Sequence, residues 1–217
     1  MDPSHDRQPS PVEELATALE SPDSSIRLKA AMLAGTYPEP TVLGHLIDRC
    51  RVEGDFYVRE MLTWALIQHA RPSVIPLLRT ELSSGVPQAR SQALHTLSKL
   101  VVPESWPWVF PHLLEDADDE VARAAWRVAV AIVPRGSESD LLAILIDQLG
   151  RGDLEVKKSL ARALVELEII HPPVTATLRD TVGTSTREAG AHAQATIKLI
   201  NDPGASFPAL LAEASRI

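Results

Sequence analysis

Apolar residues recur along the chain at helical spacing, and the recurrence itself repeats. Ile26, Val58, Ala89, Val121, Val156 and Ala189 each open a short segment rich in Ala and Leu. Successive starts are 31 to 35 residues apart, the period of stacked helical pairs and not of a closed globule. Four residues after each start stand Ala30, Leu62, Ala93, Ala125, Leu160 and Ala193; seven after stand Leu33, Ala65, Thr96, Val128, Ala163 and Thr196. Offsets of zero, four and seven fall on one face of a helix, so these columns predict the core stripe of six inner helices. Their many small residues allow neighbouring helices to approach closely.

Outer segments with their own stripes, such as Leu43, Leu46, Ile47 and Leu142, Leu145, Leu149, precede each inner one. The predicted pairs are 12–21 with 24–35, 42–52 with 55–70, 72–84 with 87–101, 104–115 with 118–133, 138–149 with 153–168, and 173–184 with 186–201. A helix over 208–216 is expected to cap the array. Asp23, Ser24, Asp55, Asp118, Asp119 and Asp153 stand at inner-helix starts, where a side-chain oxygen accepts from first-turn amides and faces the positive end of the helix dipole. Gly54 and Gly85 are expected as left-handed helix stops. The polar, proline-bearing residues 1–11 read as a disordered tail, and 12–217 as a single repeat domain. Two of the four tryptophans fall in Trp106-Pro107-Trp108-Val109-Phe110-Pro111. This run predicts a bent outer helix whose aromatics either plug the array or form a docking knob.

The pattern resembles the HEAT-repeat family, in particular its short-period branch known from phycobilin lyases, whose inner helices begin Val-Arg-x-x-Ala. The resemblance rests on Ile26-Arg27 with Ala30, Val58-Arg59 with Leu62, Ala89-Arg90 with Ala93, Val121 with Arg123 and Ala125, and Val156-Lys157 with Leu160. It implies an all-α, right-handed α-α superhelix of about six hairpins. In the fourth unit the base comes one place late, and in the sixth Gly190 occupies its position. The tetratricopeptide signature, of similar period, is not evident.

A net charge of -8 disfavours general polyanion binding, since nucleic-acid affinity rests on neutralising phosphates. Cys50 is the one cysteine, which excludes an intrachain disulfide and fits a reducing compartment. With no apolar leader and no run long enough to span a bilayer, the expected location is the cytoplasm, without a membrane partner. No phosphate loop, nucleophile elbow or Cys-x-x-Cys occurs, and the histidines lack metal spacing, so no cofactor, metal or catalytic group is called.

Two surface columns remain. One place after each start stand Arg27, Arg59, Arg90 and Lys157, with Arg123 and Lys158 one place later. This ladder either pairs with acids of neighbouring units or meets an acidic partner. Six places after each start stand Met32, Trp64, His95, Arg127, Arg162 and Ala195, off the core stripe and rich in the residue types of interface hot spots. The expected partner-binding residues are therefore Arg59, Trp64, Arg90, His95, Arg123, Trp126, Arg127, Lys158 and Arg162, with gap-filling as the other role open to Trp64 and Trp126. The expectation is a monomeric, non-enzymatic scaffold that takes an acidic or helical segment of another protein into its concave groove. The alternatives are a HEAT-like enzyme of the alkylpurine DNA glycosylase type, with Glu60 as its carboxylate, and a bilin-lyase-like protein.

Overall fold

The computed structural model describes residues 10–216, and among them every regular element is helical. The tail expected over 1–11 lies outside the described residues except at its end, where Ser10 caps the first helix in a reciprocal box with Glu13. The helices gather into two compact units, Met1–Leu100 and Val101–Ile217. No helix among the described residues is long and apolar enough to cross a membrane.

The first unit contains α1 (Pro11–Leu19), α2 (Ser24–Thr36), α3 (Leu43–Cys50), α4 (Phe56–Gln68), α5 (Arg71–Glu81) and α6 (Pro87–Leu100). Its inner helices pack in succession, α2 on α4 and α4 on α6. The second unit contains α7 (Trp106–Val109), α8 (Asp119–Ile132), α9 (Glu138–Asp147), α10 (Leu154–Ile170), α11 (Val174–Thr184), α12 (Arg187–Asn201) and α13 (Phe207–Ala214). There α8 packs on α10, α10 on α12, and α12 on α13. The all-helical, paired architecture read from the repeat is the one observed.

Inner helices start where the acids stand. Asp55 accepts from the amides of Tyr57 and Val58 at 2.8 and 3.1 Å, and Asp118 from Glu120 and Val121 at 3.0 and 3.2 Å. Asp153 accepts from Glu155 and Val156 at 2.9 and 3.0 Å. These carboxylates satisfy donors that a helix start leaves open. From α4 onward, every residue of the offset-zero, four and seven columns is buried. In α2, Ala30 is buried but Ile26 and Leu33 are 45% and 49% exposed, because among the described residues no earlier inner helix lies against them.

Two local expectations need correction. Gly54 and Gly85 are not left-handed; positive φ occurs instead at Val101, just after α6, and at Gly136, Gly150 and Gly152. The α3 end is closed by Arg51 in the right-handed region, so the first-unit turns need no glycine conformation. The fourth outer segment is also not one helix. It is a 3-10 turn at Pro103–Ser105, the single-turn α7, and a second 3-10 turn at His112–Glu115. Pro107 sits in the first turn of α7, where its missing amide costs no helical bond, whereas Pro111 has no amide to donate to a continuation of the helix; the Phe110-Pro111 peptide is cis. The Trp106 and Phe110 rings stack at 4.6 Å, half-buried, while Val109, Leu113 and Leu114 sit in the core.

Candidate functional site

The base one place after each helix start performs a recurring local task. Arg59 Nη1 donates to the carbonyls of Glu53 and Gly54 at 3.2 and 2.9 Å. Arg90 Nη1 donates to Ser84 at 2.8 Å, Arg27 Nη1 to Ser21 and Pro22 at 2.8 and 3.0 Å, and Lys157 Nζ to Gly152 at 2.7 Å. Each cation reaches back five or six residues and staples the turn that precedes its own helix. The Val-Arg pattern thus has a physical reason: those carbonyls have no helical partner, and a cation there also faces the acid-rich turn. Where the fourth unit has Ala122, Arg151 supplies the missing charge, donating to the Asp116 carbonyl and pairing with Asp119 at 2.8 Å. In the sixth unit a Cβ on Gly190 would stand 3.2 Å from the Val182 carbonyl oxygen, so α11 occupies the space a longer side chain would need.

Two of these bases also tie adjacent repeats. Arg27 forks the buried Glu53 carboxylate at 2.7 and 2.8 Å, and Glu53 accepts further from Arg49 Nε at 2.8 Å and the Asp55 amide at 2.8 Å. Burial alone pushes the Glu53 carboxyl up, but these donors outweigh it and hold it down at about 2. Lys157 pairs with Glu188 at 2.6 Å. On the same turn, buried His192 accepts from the Gly150 amide at Nδ1 (3.1 Å), and its Nε2 faces the Lys157 carbonyl at 2.9 Å. That places the ring proton on Nε2. Burial pushes His192 down to about 4. Burial likewise pushes the Cys50 thiol up to about 12, so it is a structural thiol.

The other expected site residues separate into distinct settings. Trp126 is fully buried, and its indole N–H donates to the Leu114 carbonyl at 2.9 Å; it fills the core of the second unit. Trp64 is 36% exposed and lies across Gly35, where a Cβ would come 2.3 Å from its Cζ3. Its inner face is therefore a packing surface on α2 and its outer edge meets solvent. His95 Nε2 stands 3.1 Å from Glu60 Oε1 and links α6 to α4. Arg123 pairs with Glu120 at 2.5 Å, and Arg127, one turn on along α8, is exposed.

Lys158 and Arg162 do come together. One turn apart on α10, they form the basic wall of an open cleft of about 630 Å³. Val165, Leu199 and Phe207 give it an apolar floor, and the segment from Pro203 to Pro208 forms the facing rim. Lys158 has only a loose 3.5 Å contact to Glu155. Arg162 is exposed, and no hydrogen bond or ion pair engages its guanidinium among the described residues. A single acid, Glu166, joins the lining. An uncommitted guanidinium beside an apolar floor can fork a carboxylate while its neighbour buries hydrocarbon. The periodicity pointed to both cations. It could not show the cleft, because the Pro203–Pro208 rim lies outside the repeat. Glu53 and His192 were also missed, the first because it is not a cap and the second because its partners are backbone atoms of the preceding unit.

Residues 45–131 match the family model for HEAT repeats. No curated protein matches the chain. Among solved structures, the chain is similar to one in the complex of CpcE and CpcF of phycocyanin lyase from Nostoc sp. PCC7120. The match covers 98% of this chain and 90% of that one, with a TM-score of 0.50 and 20% sequence identity. At that identity the likeness is one of fold, and it agrees with the HEAT-like helical repeat read from the residues.

Proposed function

We propose that the protein is a cytoplasmic scaffold whose repeat domain, over 12–217, binds an acidic segment of another protein, with Lys158 and Arg162 as its principal contacts. The observation that carries this reading is the α10 cleft: two cations one turn apart, one without a partner, above an apolar floor. A preformed wall of this kind loses little conformational entropy on binding, so a carboxylate flanked by an apolar residue would gain both an ion pair and buried area. Among the remaining expected residues, the Arg127 head group, in the same unit, is proposed as a secondary contact, and the exposed edge of Trp64 as a separate contact of the first unit. Arg59 and Arg90 are engaged with turn carbonyls and contribute mainly to the frame.

A second reading, a bilin-lyase-like role, is favoured by the similarity to a chain of the phycocyanin lyase complex. That neighbour is described in complex between two proteins, which also suits a protein partner here. The DNA glycosylase reading draws less support. Trp126 is buried and unable to stack on a base, and Glu60 is engaged by His95.

A photo-crosslinking residue at Val165, on the cleft floor, tests the proposal. The expected product is one crosslinked protein, attached through an acidic segment and unaffected by nuclease. A chromophore-bearing product would favour the lyase-like reading. Crosslinks only to nucleic acid would overturn both.

A further inference from the structure

The α10 wall of the cleft is not uniformly basic. Lys158, Arg162 and Glu166 stand at four-residue steps on α10, and all three line the cleft. Plus, plus and minus therefore follow one another at intervals of about 6 Å along one ridge of the helix. No other charged side chain joins the lining among the described residues. Arg162 and Glu166 are both exposed, and no hydrogen bond or ion pair joins them or engages either one elsewhere among the described residues. Their order, base before acid, is the weaker one for a pair one turn apart on a helix. The nearest charges of the facing helices are committed to each other, Lys198 pairing with Glu213 at 2.9 Å. We infer that the occupant of this cleft is an amphipathic helix of a partner protein with two acids one turn apart and a base one turn further on, and that Glu166 selects it over a uniformly acidic segment. The inference rests on the scaffold reading and makes it narrower.

The lining selects a helix. Val165, Leu199 and Phe207 make the floor apolar, and the surrounding elements are helices that offer no strand edge among the described residues. An extended segment laid on that floor would leave its own amides and carbonyls without partners, whereas a helix satisfies them internally. The ridge presents one charge per turn. A partner helix presents side chains at the same interval, so three charges on each side meet in register over about 12 Å. The order of charges selects the sequence. Two acids face Lys158 and Arg162, while a third acid would face Glu166, and like charges set opposite each other are repelled. Acids ahead of the base also suit the partner helix's own dipole, which sets it parallel to α10.

Fluorescence anisotropy with synthetic peptides and the full chain, at low ionic strength, tests it. An amphipathic peptide carrying Glu, Glu and Lys at four-residue intervals beside a leucine face is compared with one in which that Lys is Glu. The wild type is expected to bind the mixed peptide about fivefold more tightly, and Glu166→Gln to reduce the preference to about twofold or less. Because Glu166 is exposed and makes no pair, its amide leaves the fold in place. A central proline in the mixed peptide, which keeps the charges and breaks the helix, is expected to cost at least about tenfold. Equal binding of the two peptides by the wild type, a preference that survives in Glu166→Gln, or undiminished binding of the proline peptide overturns the inference. Lys158→Glu/Arg162→Glu separates it from the broader reading. Peptides that bind the wild type alike and are lost from the double reversal leave an acidic partner at this cleft and remove only the helix with its charge order. Peptides that bind neither protein, or both equally, remove the two together.

Discussion

Glu53 shows how single residues hold this repeat together. Its carboxylate is buried among Arg27, Arg49 and the Asp55 amide. Removing one member strands the others around a carboxylate site that is largely closed to solvent. Glu53→Ala is expected to cost about 3–5 kcal/mol in denaturant unfolding, whereas the joint change Arg27→Met with Glu53→Leu should recover only part of that loss, because Arg49 and the Ser21 and Pro22 carbonyls still lose a partner. Acid acts on two groups in sequence. His192 is neutral in the fold, with its value lowered from 6.5 to about 4, so the unfolded chain takes up the proton first. Its contribution is complete above pH 6.5 and is lost as pH falls towards 4, amounting to about 3 kcal/mol. Glu53, lowered from 4.5 to about 2, contributes fully above pH 4.5 and loses its contribution as pH falls towards 2. Thermal melts from pH 7 to 5 should show a decline that His192→Asn reduces, and a pH-independent difference between the two proteins would contradict this assignment.

At the scale of elements, the inner helices are set by their caps and by the bases that staple the preceding turns. The turn before α10 is the most constrained. Gly152 adopts φ +68°, and a Cβ there would lie 2.7 Å from Val156 Cβ, so both backbone and space exclude a side chain. Gly152→Ala should therefore destabilise the protein by about 1–3 kcal/mol, while Gly54→Ala, where a Cβ meets nothing within 4 Å, should be near neutral. The comparison is read by chemical denaturation. These elements also show what the sequence could convey. The inner helices were legible because Val58, Leu62 and Ala65, or Val156, Leu160 and Ala163, repeat one stripe in one register. The fourth outer segment was not, because its period continues through Pro107 and Pro111 while its hydrogen bonding does not. Gly54 and Gly85 misled for a related reason: glycine permits a left-handed stop without requiring one.

At the scale of the whole molecule, a regular frame carries its distinctive surfaces where regularity fails. Most of the predicted cation ladder turned out to serve the frame, as the reach of Arg59 and Arg90 to turn carbonyls shows. Spacing alone cannot separate a staple from a contact, since both require a cation at the same edge of a helix. Lys158 and Arg162 stand apart because the segment leading into α13 turns back beside them and makes a cleft. The direct test of the proposed function is capture from nuclease-treated extract by the wild type, by Lys158→Glu/Arg162→Glu, and by Arg135→Glu as a surface control. The account predicts one partner held by the wild type and the control, and reduced at least about tenfold by the double reversal with folding intact. The same partner held equally by all three proteins would contradict it.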